Sequence, residues 1–170
     1  MAVLTAQLSR LNGLGSAAAR TVLMQCCGSP VWAVAVLAER PYLDTVHLLR
    51  VAERTLAELD WAEVKAAASA HPRIGEAAPG DEAAARWSKS EQAAAAVGSA
   101  KGAALPPRLI EYEAKFGHRF LISARGLSLE RIAARLEERI CLDSAHEREE
   151  TRRELSKITV NRLRELMADG

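Results

Sequence analysis

The stretch Ala68-Ser69-Ala70-His71-Pro72-Arg73-Ile74-Gly75-Glu76 decides how the chain is divided. A helical run from Trp61 to Ala70 meets a proline there, and a proline drives the residue before it out of the α region. His71 is therefore predicted to end that helix and to project from its C-terminal tip. Gly75 adds a backbone position free to turn or to let another group approach closely. A histidine at a helix end, with Arg73 and Glu76 nearby, suits acid–base work or anion binding. At this point a satisfied turn histidine in an ordinary loop fits equally.

Upstream of this stretch, short periodic runs alternate with breakers. Thr5–Leu14 reads as a short helix or turn ending in Asn12-Gly13. Ala17–Cys27 reads as a helix with Ser16 as its N-cap, stopped by Gly28-Ser29-Pro30. Trp32, Val36 and Leu37 carry a further short run, closed by Arg40-Pro41. Tyr42–Asp60 is long, with Val46, Leu49, Ala52, Leu56 and Leu59 at helical spacing. Asp60 followed by Glu63 is a capping-box arrangement that starts the helix at Trp61.

Downstream, 74–85 reads as a surface loop, and Ser88 with Glu91 has capping-box spacing before an alanine run to Val97. Gly98–Pro107, with two prolines, reads as a break. Arg108–Lys115 is a predicted helix, and Phe120–Ala124 a buried extended connector with no partner strand. Gly126-Leu127-Ser128 opens the next helix, although Ser128 and Arg131 make no capping box. Leu129, Ile132, Ala133 and Leu136 form that helix's core face. Asp143–Met167 is the last and longest helix. The expectation is an all-α fold, a single compact domain over residues 1–170 with about eight helices around one core.

Composition narrows the function classes. With 23 basic and 22 acidic residues the formal charge is +1, which offers no electrostatic case for nucleic acid or an anionic membrane. Cys26, Cys27 and Cys141 make no disulfide framework and no paired metal knuckle, and a reducing compartment is the simplest setting. No secretory signal is evident, and no run approaches the roughly 18 apolar residues of a membrane span. No two histidines stand at i, i+4, so a metal site is not expected. Cys26-Cys27 falls at a helix C-terminus, the wrong end for lowering a thiol pKa.

One charge sits in the wrong place for a simple pattern. Leu155, Ile158, Arg162 and Leu166 share a face of the last helix, so Arg162 interrupts an apolar stripe. A guanidinium stays charged in proteins, and an unpartnered buried charge is costly. Arg162 thus needs a carboxylate, an anionic ligand, or a path by which its side chain reaches water. His118 follows a glycine at a helix end, His146 lies in a charged run, and His47 lies at the core or edge of an apolar helix. His71, Glu91 and Arg162 are the residue types that proton transfer on a small acidic substrate requires, but spacing alone does not bring them together.

With these residues in place the chain resembles the 2-oxo-4-hydroxy-4-carboxy-5-ureidoimidazoline (OHCU) decarboxylases over nearly its whole length. The likeness runs through Leu11-Asn12, Cys26-Cys27-Gly28-Ser29 with Trp32, and Arg40-Pro41. It is strongest in His71-Pro72-Arg73-Ile74-Gly75-Glu76, Ser88-Lys89-Ser90-Glu91-Gln92, Tyr112-Glu113-Ala114-Lys115-Phe116-Gly117-His118-Arg119-Phe120 and Lys157-Ile158-Thr159-Val160-Asn161-Arg162-Leu163. The resemblance implies His71 and Glu91 as catalytic residues. It implies Pro72, Ser88, Gln92 and Arg162 as substrate-binding, with Phe116, Gly117, His118, Phe120 and Ile122 in the segment whose backbone lines the pocket. It implies no metal or organic cofactor, a cytoplasmic homodimer, and neither a nucleic-acid nor a membrane partner. Two family asparagines are replaced here by Leu109 and Leu142, positions outside the catalytic set.

The implied reaction is decarboxylation of OHCU to (S)-allantoin, the last step from urate. OHCU carries a carboxylate and a hydroxyl on one ring carbon, beside a ring nitrogen system able to accept electron density. His71 would handle the hydroxyl proton or protonate the developing centre, Glu91 would hold His71, and Arg162 would take up negative charge. Ser88 and Gln92, one turn apart, can reach the same ligand. The competing expectations are a same-fold enzyme acting on a related ureido or imidazoline acid, and a non-catalytic helical binding protein. The last predicts His71, Glu91 and Arg162 on separate surfaces.

Overall fold

The computed structural model describes residues 2–74 and 100–168. Among them are eight helices and no strand. They are α1 (Ala2–Gly13), α2 (Ser16–Cys27), α3 (Pro30–Ala38), α4 (Thr45–Glu58), α5 (Trp61–Ala70), α6 (Ala100–Phe116), α7 (Leu129–Ile140) and α8 (Ser144–Ala168). The long α8 packs against α1, α2, α4 and α5, while α6 and α7 pair with each other. The expected all-α class holds.

Local chemistry sets most of the boundaries. The Asp44 carboxylate accepts the His47 N–H at the start of α4, and Asp60 accepts the Glu63 N–H at the start of α5. Ser29 caps α3 by accepting the Trp32 N–H at 3.1 Å, and its hydroxyl donates to Glu63 at 2.9 Å. Glu63 is thereby engaged with α3 rather than closing a reciprocal box. Gly28 ends α2 at φ +83, and a Cβ there would stand 3.0 Å from the Cβ of Ala70. Both the left-handed turn and the close approach of α5 therefore require glycine.

The segments Leu11-Asn12 and Arg40-Pro41 prove to be clasps. Asn12 donates to the Tyr42 carbonyl and accepts its N–H, both at 2.9 Å. Arg40 donates to the Leu11 and Leu14 carbonyls at 3.1 and 2.7 Å, satisfying the C-terminus of α1. Trp32, fully buried, donates its indole N–H to the Ala52 carbonyl at 3.0 Å.

Several expectations need correction. The predicted break over 98–107 is helical from Ala100 onward, with Pro106 and Pro107 inside α6. The helix forgoes two hydrogen bonds that prolines cannot donate, and the burial of Leu105, Leu109 and Tyr112 on one face compensates. Ser16 is the first residue of α2 rather than its cap, which is Gly15. Ser128 opens α7 as expected, accepting the Arg131 N–H at 3.3 Å without a reciprocal partner. In α4 the buried face is Leu48, Val51, Ala52, Thr55 and Leu56, and Val46 is exposed. The loop expected over 74–85 and the helix expected after Ser88 lie outside the described residues, save Ile74.

The apolar interior divides into two clusters. One joins α1–α5 to α8 and includes Leu23, Trp32, Leu56, Val64, Leu155 and Leu163. The other joins α6, α7 and the connector 117–128, with Leu105, Leu109, Tyr112, Phe120, Ile122, Ala124, Ile132 and Leu136. The connector is extended and alternates between them. Leu121 belongs to the first cluster, while Phe120, Ile122 and Ala124 belong to the second.

Candidate active site

Pro72 has no N–H to give back to α5, so the last turn of that helix finds its partners elsewhere. The His71 N–H reaches the Ala68 carbonyl at 3.2 Å, a tightened i→i−3 bond. That frees the Ala67 carbonyl for the imidazole of His71 itself, whose Nδ1 lies 2.8 Å away. A carbonyl only accepts, so Nδ1 carries the proton and Nε2 keeps its lone pair. Nε2 is buried and has no hydrogen-bond partner among the described residues.

His71 lines a cleft with Pro72, Ile74, Phe120, Leu121, Ile122, Ala124 and Ile158. The cleft lies on the seam between the two apolar clusters and is lined by α5's end, the connector and Ile158 of α8. Burial lowers the His71 pKa from 6.5 to about 4, and the positive charge of Arg162 pushes the same way, against the Ala67 hydrogen bond. The imidazole is accordingly neutral at pH 7 and equipped to accept a proton at Nε2.

Arg162 stands one turn beyond Ile158 on α8 and is 5% exposed, so its side chain does not run out to water. It donates to the Gln25 carbonyl, in the last turn of α2, at 3.1 Å. A cation there suits the negative end of that helix. Its field is felt by His71, Cys26 and Cys27 alike. Burial nevertheless dominates at both thiols and raises them, Cys26 to about 12 and Cys27 to about 11, so neither is a nucleophile at neutral pH.

The residues named from sequence fall into three groups. His71, Pro72, Phe120 and Ile122 share the cleft, and Arg162 approaches His71 closely enough to shift it. Phe116, Gly117 and His118 are not among the lining residues. His118 is buried against the rings of Trp61 and Tyr112, with centroids at 5.0 and 5.4 Å, and burial lowers its pKa. Ser88, Glu91 and Gln92 lie outside the described residues.

Other polar residues went unnoticed in the sequence although a signal was present. Arg139 continues the buried stripe Ile132, Leu136 of α7, and Glu147, Thr151 and Glu154 continue that of α8. Arg139 is ion-paired with Glu147, which also accepts from the Tyr112 hydroxyl. Arg139 donates to the Leu121 carbonyl at 2.7 Å and to the Thr151 hydroxyl at 3.1 Å. Glu154 accepts the Ser123 N–H at 2.7 Å. These groups anchor the connector that forms one wall of the cleft.

Leu109 and Leu142, the two positions expected to depart from the family, occupy different surroundings. Leu109 is buried in the second cluster. The Leu142 carbonyl accepts from Lys115 Nζ at 3.0 Å, and the same ammonium holds the Ile140 carbonyl.

Comparison with known proteins points one way. The family model of OHCU decarboxylase matches residues 12–164. A crystal structure of an OHCU decarboxylase in the presence of (S)-allantoin superposes with a TM-score of 0.74 at 28% identity, covering 86% of this chain and 96% of that one. A crystal structure of an (S)-allantoin synthase has a TM-score of 0.70 at 16% identity, covering 94% of this chain and 53% of that one, a likeness of fold. No curated protein sequence matches.

Proposed function

The chain belongs to the OHCU decarboxylase family and is a carboxy-lyase of urate degradation, and we propose that His71 is the base that drives its reaction. The observation that supports this reading is the neutral, Nδ1-protonated imidazole of a residue that lines the cleft, its Nε2 buried with no hydrogen-bond partner among the described residues and the charge of Arg162 acting on it. As the bond to the carboxylate breaks, CO2 departs and its electron pair spreads into the ring's C=N system. Nε2 takes the hydroxyl proton, so that a ring C=O forms, and the imidazolium returns that proton to one face of the neighbouring ring carbon, while the ring nitrogen that received the electron pair takes a proton from solvent, giving (S)-allantoin. Arg162 stabilises the negative charge that builds on the ring and its oxygen, in a pocket where water screens little. Glu91, Ser88 and Gln92 complete the set on the strength of the family resemblance, with Glu91 steering the proton of His71. The reaction draws on no cofactor in this reading.

Placement in the cytoplasm and assembly as a homodimer follow from the same resemblance. No helix among the described residues is long and apolar enough to cross a membrane. Val31 and Val34, each about half exposed on α3, are apolar surface that a second copy would cover, and sedimentation equilibrium reads out the assembly.

The catalytic reading is tested by following OHCU decay together with the circular dichroism of allantoin. His71→Ala is expected to lose about 10²–10⁴-fold in turnover with its far-ultraviolet spectrum intact. Decay no faster with the wild-type protein than in buffer overturns the assignment.

A further inference from the structure

We infer that Arg119 is a positioning residue, holding the end of α5 so that the His71 imidazole keeps a fixed distance from the connector wall of the cleft. The inference rests on the reading of His71 as the catalytic base.

Four carbonyls around the end of α5 have partners that involve His71 or Arg119. Ala67 receives the His71 ring Nδ1–H at 2.8 Å and Ala68 receives the His71 N–H at 3.2 Å. The carbonyls of Ser69 and of His71 both go to Arg119. Its Nη1 donates to the Ser69 carbonyl at 2.8 Å and to the carbonyl of His71 itself at 3.1 Å. Helix-end carbonyls need partners, and a cation is favoured at that pole. Arg119 meets both conditions for the one turn that sets the tautomer of His71.

Arg119 is well placed to act as a spacer because of what flanks it. Phe120, the next residue, lines the same cleft as His71. The preceding residue fixes the backbone, since His118 Nδ1 lies 3.0 Å from the Arg119 carbonyl. One side chain thus ties the base to the connector, across about 50 residues of sequence. A second tie lies beside it, the two-point ion pair of Arg73 with Glu113 on α6 at 2.9 and 2.8 Å. That pair is partly exposed and grips the chain after His71 rather than the turn itself. Arg119 is half-buried and is not among the cleft-lining residues, so it acts through His71.

The test uses Arg119→Met, which keeps most of the aliphatic stem, and Arg119→Lys, which restores a cation able to reach one carbonyl. A displacement of the base by about 1 Å costs up to roughly 100-fold in rate. Arg119→Met is therefore expected to lower kcat by at least about tenfold with KM nearly unchanged, and Arg119→Lys to recover most of that loss. The NMR titration of the His71 ring, assigned by its absence in His71→Asn, supplies a readout independent of OHCU. Its midpoint should move from about 4 toward the ordinary 6.5 in Arg119→Met. Unchanged kcat and titration in Arg119→Met overturn the inference, and so does a rise in KM alone. Should Arg119→Met fail to fold, the same two measurements on Arg119→Lys decide, with wild-type values there overturning the inference. A wild-type protein inert toward OHCU removes the catalytic reading instead, and the titration still decides whether Arg119 holds His71.

Discussion

The two interior clusters are organised by different forces. Around α2–α5 and α8 the contacts are almost wholly apolar, with Leu23, Trp32, Val64 and Leu155 at 0% exposure. Beneath α6 and α7 the interior encloses a full ion pair. The Arg139 guanidinium spends its donors on Glu147, the Leu121 carbonyl, Thr151 and the Tyr112 hydroxyl, and it also lies 4.7 Å over the Phe120 ring. Apolar packing is non-directional and tolerates adjustment of its members. A buried charge fixes angles and distances, because any misalignment leaves it unsolvated. The cleft takes its base from the first kind of core and its connector wall from the second. Precision at the wall comes from the ion pair, and neutrality of the base comes from apolar burial.

The harshest way to break this contrast is to remove one charge. Glu147→Ala strands the Arg139 guanidinium, 2% exposed, and is expected to cost about 3–5 kcal/mol by urea denaturation. Replacing both, as Arg139→Met with Glu147→Leu, should recover most of that stability, since well-packed apolar residues often substitute for a buried pair. The double variant should nevertheless lose activity, because the Leu121 carbonyl loses its donor and the wall loses its register. A single variant within about 1 kcal/mol of wild type would show that the second cluster is held by packing like the first.

The same contrast explains what could be read in the sequence. The end of α5 was legible because His71-Pro72 is a local steric fact, and its start because Asp60 and Glu63 carry a capping signal. Arg162 was legible because it breaks an apolar stripe at helical spacing. Arg139, Glu147 and Glu154 break their stripes in the same way. In α7 and α8, which are rich in charge, one more charged residue at a core position does not stand out from the solvated faces. Pro106 and Pro107 argue locally for a break over the first turns of α6, whereas burial of Leu105, Leu109 and Tyr112 is a tertiary effect. The meeting of α5's end with the connector was not legible from spacing at all. It depends on Arg119 and Arg139, whose partners lie about 50 and 18 residues away.

A gentler probe addresses the apolar side of the seam. Burial holds the folded-state pKa of His71 at about 4, below its ordinary 6.5. Between those values the unfolded chain binds the extra proton and the folded chain does not, so stability falls as pH falls. The component is fully present above pH 6.5, and about 3 kcal/mol of it is gone by pH 4. His118, also lowered by burial, adds in the same direction. His71→Asn cannot take up the proton, so the difference between its denaturation free energy and that of wild type should change across this window. Parallel curves between pH 6.5 and 4 would mean that the cleft does not hold His71 neutral.

The smallest expected effect separates the two ends of α5. Asp60 caps the start of the helix by accepting the Glu63 N–H at 2.9 Å, at the opposite end of the 10-residue α5 from His71. Asp60→Ala removes an N-cap and should cost about 1 kcal/mol. Fraying is confined to the first turn, because Ala67 and Ala68 are packed in the first cluster and Gly28 abuts Ala70. Turnover of Asp60→Ala should therefore stay close to wild type below its melting range, whereas Arg119→Met, at the other end of the helix, should lose turnover at little cost in stability. Equal losses of turnover in the two variants would mean that α5 moves as one rigid body, and that the position of His71 depends on the whole helix rather than on its last turn.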